Sequence, residues 1–141
     1  MSTSTTTDEA GPIGKNDDTV VTLTREVSAP IDHVWEVLVS PQGSAALLGA
    51  GAVLGGKGEP YHCADGTRGV VRSYHPLEQL RLSWHATEDA PPSLVELDLR
   101  AQGAGTLLEL RHDHLDGAVP ADELYKRWES GLESGAREAT G

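Results

Sequence analysis

Between Val20 and Leu38 the hydrophobic period of this chain changes from two to 3.6 with no linker between the two patterns. Val21, Leu23, Arg25 and Val27 share one face of a strand, and Thr22, Thr24, Glu26 and Ser28 share the other. Pro30 then suits a first helical position, where its missing N–H has no intrahelical partner, and Ile31, Val34, Trp35 and Leu38 follow at helical spacing. A strand that swings straight into an amphipathic helix, followed by a long meander and a second helix at the C-terminus, suggests a curved sheet gripping a helix.

The rest of the chain supplies that sheet. Ser40-Pro41-Gln42-Gly43 breaks the first helix, and Ser44–Leu48 reads as a short second one before a glycine-rich stretch. Strands are expected over Glu59–Cys63, with Pro60 marking an edge, and over Gly69–His75, with Asp65-Gly66 as the turn between them. Leu80, Leu82, Trp84 and Ala86 alternate with Gln79, Arg81, Ser83 and His85, and Val95, Leu97 and Leu99 alternate with Glu96, Asp98 and Arg100. In the last strand Leu108, Leu110, His112 and His114 fall on one side. Pro120 opens a closing helix with Leu124, Trp128 and Leu132 as its apolar stripe. Gly131 and Gly135 predict fraying toward the end, since each interior glycine costs a helix about 1 kcal/mol relative to alanine. The expected class is α+β: a curved antiparallel sheet of six to seven strands around a long C-terminal helix, with two short helices after the first strand. The expected organisation is an unstructured acidic Ser/Thr-rich tail (1–18), one domain (19–135) and a frayed end (136–141).

Composition narrows the function classes. The chain has 141 residues and a net charge of −11 with no basic run, which argues against nucleic acid or an anionic membrane as partner. A single cysteine excludes an internal disulfide and a multi-thiolate zinc site and fits a reducing, cytoplasmic setting. No segment approaches the roughly 20 apolar residues of a membrane span.

Several motifs together resemble the START-like superfamily, also called SRPBCC, Bet v-like or helix-grip. Within it they resemble homologues of the heat-shock-protein-90 ATPase activator. They are Arg25-Glu26-Val27-Ser28-Ala29-Pro30 leading to Val34-Trp35; Gly55-Gly56; Asp65-Gly66-Thr67-Arg68-Gly69-Val70-Val71; Leu80-Arg81-Leu82-Ser83-Trp84; Gly105-Thr106-Leu107-Leu108-Glu109-Leu110-Arg111-His112; and the Trp128 helix. The resemblance implies the helix-grip fold and a cavity for hydrophobic ligands between sheet and closing helix. It implies no single activity. Where such proteins carry an aromatic-rich stretch after the first helix, this chain has Ala45–Gly51, implying a wider cavity mouth. The glycine-bearing last helix implies a loose grip.

The functional expectation is a small hydrophobic or aromatic molecule, such as a lipid, polyketide or other natural product, bound by Arg25, Leu82, Trp84, Leu97, Leu110, His112, Leu124 and Trp128, for carriage, sensing or sequestration as in self-resistance. A second reading is a polyketide cyclase or aromatase in which Arg25 and His112 polarise or deprotonate a poly-carbonyl chain. A third is a co-chaperone-type protein contact. His112 and His114, two apart on a strand, have metal-ligand spacing, yet no third ligand stands beyond the distant Glu59, His62 or Cys63, so neither metal nor cofactor is expected. Their bland alternative is hydrogen bonding at the end of the sheet, and that of Trp84 and Trp128 is core filling.

Overall fold

The computed structural model describes residues 15–16, 20–115 and 119–140. The elements run β1 (Lys15–Asn16), β2 (Val20–Val27), α1 (Ile31–Leu38), α2 (Pro41–Leu48), β3 (Pro60–His62), β4 (Arg68–His75), β5 (Gln79–Trp84), β6 (Ser93–Gln102), β7 (Gly105–Asp113) and α3 (Ala121–Thr140). The sheet is antiparallel in the order β1-β2-β7-β6-β5-β4-β3, so β2 pairs with the last strand and the helix pair α1–α2 forms the crossover. This is the expected helix-grip architecture.

Register builds the inner face in rows. Leu23, Leu110, Leu97 and Leu80 face one another across β2, β7, β6 and β5, and Val21, His112, Val95 and Leu82 form the next row. Every one of these residues is at most 5% exposed. Across the sheet α3 lays Leu124, Trp128 and Leu132 on that face. Each buried leucine is worth roughly 1.5–3 kcal/mol of removal from water, so these rows and the helical stripe form the centre of a core that α1 and α2 extend with Val34, Trp35, Leu38, Leu47 and Leu48.

Three sequence expectations are corrected. Lys15–Asn16, placed in an unstructured tail, pair with Val21 and Thr22 as β1; the rest of that tail lies outside the described residues. Ser40-Pro41-Gln42-Gly43, read as a break, starts α2: Ser40 Oγ accepts the Gly43 N–H at 3.1 Å, and Pro41 takes the first turn. Residues 136–140 continue α3, with Ala136 and Ala139 buried. The glycines explain why that end holds. A Cβ on Gly131 would stand 2.4 Å from the Leu47 carbonyl oxygen, and one on Gly135 would stand 3.3 Å from Leu38 Cδ2. Missing side chains let α3 approach α1 and α2 closely, and the packing gained offsets the poor helix propensity of glycine.

Candidate functional site

At the end of the sheet where β5, β6 and β7 meet α3, the buried polar groups form one directed chain. Trp128 Nε1–H donates to His112 Nδ1 at 3.0 Å, and His112 Nε2 lies 2.6 Å from Ser93 Oγ, which donates to the Trp84 carbonyl at 2.9 Å. Trp128 has only a proton to give, and Ser93 has spent its proton on Trp84, so His112 must be neutral with its proton on Nε2. Burial agrees, pushing the His112 pKa down to about 4, with the Asp113 charge opposing and the Arg127 charge assisting. Trp84, His112 and Trp128 pack edge to face, with ring centroids 5.0, 5.8 and 6.3 Å apart.

These rings occupy the space that the resemblance assigns to a cavity. The space left at this end is a pocket of about 20 Å3 bordered by Trp84, Ala86, Pro91, Leu115, Val119 and Leu124. That is room for about one water, whereas small-molecule pockets run to roughly 300–1,000 Å3. The interior at this end is filled by side chains, and the space that remains is a small, mostly apolar recess. The indole N–H of Trp84 has no hydrogen-bond acceptor although the residue is 5% exposed. A buried donor left unpaired costs about 1–3 kcal/mol.

Of the eight expected site residues, Leu82, Trp84, Leu97, Leu110, His112, Leu124 and Trp128 are buried on the inner side, and Trp84 and Leu124 border the recess. Arg25 does not join them. It pairs with Leu108 whereas His112 pairs with Val21, so four strand residues, about 13 Å, separate the two, and its side chain is exposed. His114 is also corrected. It follows the last β7 residue at a φ of 61°, is exposed, and sets Nδ1 2.7 Å from Asp113. The pair Arg25 and His112 thus has no common substrate position, and His112 has no lone pair free to take a proton. Among the described residues no three His, Cys, Asp or Glu side chains converge as metal ligands.

Arg127 and Ser93 were missed. Arg127 donates to the Leu48 carbonyl, Thr67 Oγ1 and Asp65 Oδ2 at 2.8, 3.1 and 3.0 Å, and its guanidinium lies 5.5 Å from the Trp84 ring centre. It ties α3 to the end of α2 and to the β3–β4 turn. Partial burial pushes the Asp65 carboxyl up, but hydrogen bonds from Thr67 and Arg127 outweigh it and hold the group below the usual carboxylate range. The partners of Arg127 lie some sixty residues away in sequence, so no local pattern marks it. Ser93 did carry a signal, being the polar member of the inward series with Val95 and Leu97. Cys63 is buried beside the Leu48 carbonyl with its thiol pushed up chiefly by burial, which suits a structural thiol.

A family model described as Activator of Hsp90 ATPase homolog 1-like protein matches residues 28–138. Among solved structures, CalU16 from Micromonospora echinospora is 27% identical, with a TM-score of 0.70, over 83% of this chain and 71% of its own. DynU16, a protein in the dynemicin biosynthetic locus, is 24% identical with a TM-score of 0.72 over 86% of this chain, which spans only 46% of that protein. MLL2253 from Mesorhizobium loti, at 18% identity and a TM-score of 0.74 over 86% of this chain and 96% of its own, shares the fold. No curated protein matches the chain.

Proposed function

The chain belongs to the family of Activator of Hsp90 ATPase homolog 1-like proteins, and from that premise we propose that it binds a small apolar or aromatic molecule at the recess beside Trp84, as a carrier, sensor or sequestering protein. The pairing of two observations carries the reading: Trp84 borders a mostly apolar recess, and its indole N–H is buried with nothing to donate to. A ligand with an apolar body and one acceptor oxygen would satisfy both. Entry requires the walls to part, and the wall residues Ala86, Ala90 and Pro91 belong to the β5–β6 connection, outside the strand ladder. Moving them breaks few backbone bonds, which makes this end the low-cost place to open.

The cyclase reading has less support, because its acid–base pair does not converge. A protein partner, which the family's description raises, becomes the reading if small molecules fail.

Proton–nitrogen spectra test the proposal directly, since each Trp gives its own indole signal. Flavone, anthraquinone, oleate and a polyketide are suitable probes, the last chosen because DynU16 stands in a biosynthetic locus. Ligand should move the Trp84 indole signal, assigned by its loss in Trp84→Phe, more than that of Trp35. Trp84→Phe should weaken binding about threefold to tenfold, the worth of one hydrogen bond. A folded spectrum that no probe perturbs overturns the reading.

A further inference from the structure

On the convex side of the sheet, directly outside the recess, lies a groove of about 470 Å3 between β4, β5 and the start of β6, walled by Arg72, Ser73, Arg81, Ser83 and His114. A β-bulge lies along it: the β4–β5 register passes from Val71 opposite Leu82 to Ser73 opposite Arg81, which leaves Arg72 as the extra residue. Arg72 and Arg81 both border the groove, and the protein compensates only one of them. Arg81 meets Glu96 at 3.2 Å, whereas Arg72 has no carboxylate partner. Acidic residues outnumber basic ones by 22 to 11, and five of the eight arginines are ion-paired, yet Arg72 is left with its charge uncompensated at the groove.

The groove and the recess share two walls, Ser93 and His114. His114, just past the end of β7 at a φ of 61°, is exposed at that shared corner. Resting on the binding role above, we propose that the groove is an oxyanion subsite continuous with the recess, and that the ligand is therefore an amphipathic acid. Its apolar body lies against Trp84 and Leu124, and its carboxylate, sulfate or phosphate lies outside against Arg72 and Arg81. Guanidinium suits this task because its fork of donors matches the oxygens of such a group. It also explains how a protein of net charge −11 takes an anion: through a local site, not through its overall field.

Matched ligands separate this inference from the reading beneath it. Titration of the whole protein with 2-naphthoate and with methyl 2-naphthyl ketone compares nearly the same body with and without the charge. The acid should bind roughly tenfold tighter than the ketone at low salt, with the advantage shrinking as salt rises. Arg72→Gln, an exposed and unpaired position, should lower acid affinity about threefold to tenfold and leave ketone affinity alone. Arg25→Gln, equally exposed but remote, should change neither. Equal affinities for acid and ketone, or an acid preference that survives Arg72→Gln, overturn the oxyanion subsite while leaving the binding role standing. Binding of neither overturns both.

Discussion

The indole N–H of Trp128 on α3 and Nδ1 of His112 on β7, 3.0 Å apart, form a buried side-chain hydrogen bond that fastens the closing helix to the end of the sheet. It holds only while His112 is neutral, because a protonated Nδ1 would meet the Trp128 N–H as donor against donor. The same bond places Trp128 where a ligand cavity was expected.

Acid should therefore loosen the grip. The His112 pKa falls from an ordinary 6.5 to about 4 on folding. The unfolded chain binds the proton more readily, so the contribution of His112 to stability is full above about pH 6.5 and is lost as pH falls toward 4. The shift corresponds to roughly 3 kcal/mol at most. Chemical denaturation at pH 7, 5.5 and 4.5 should show this decline. In His112→Gln, which has no such proton to bind, the decline should be shallower by a comparable amount.

Removing the donor while keeping an aromatic ring isolates the bond itself. Trp128→Phe should cost about 1–3 kcal/mol, since it strands a buried acceptor, and Trp128→Ala about 3–5 kcal/mol, since it also empties the core. Urea midpoints compared at pH 7 measure both. A Trp128→Phe protein as stable as the parent would place the fastening elsewhere.

The two α3 glycines should respond differently to alanine. Gly131→Ala drives a methyl to within 2.4 Å of the Leu47 carbonyl oxygen, so it should lose roughly 1–3 kcal/mol despite better helix propensity. Gly135→Ala meets only a leucine methyl at 3.3 Å, which can give way, so it should be near neutral or stabilising by up to about 1 kcal/mol. Thermal melts of the two variants decide it.

Arg127→Lys keeps the charge but loses the fork that reaches Leu48, Thr67 and Asp65 together. The expected loss is about 1–2 kcal/mol, small because the Asp65 pair is partly exposed. Amide exchange should quicken at the β3–β4 turn and at the end of α2 before it does so in β7. Uniform exchange throughout would argue that Arg127 holds no particular junction.

The sequence by itself determined the strands from Val20 onward, the helix pair and the closing helix, because period-two and period-3.6 patterns state which side of each element is apolar. It also picked out Leu82, Trp84, Leu97, Leu110, His112, Leu124 and Trp128 as neighbours, since each lies on an inward parity. Parity alone does not say whether a face is covered. Arg25 shares the parity of Val21 and is exposed; His114 shares that of His112 and turns out one residue after its strand ends. Only the tertiary structure decided that Gly131 and Gly135 are contact points instead of weak ones, that Trp84, His112 and Trp128 fill the interior, and that Arg72 and Arg81 border one groove with His114. Each depends on groups distant in sequence meeting at a separation of a few ångströms, and local pattern holds no record of that distance.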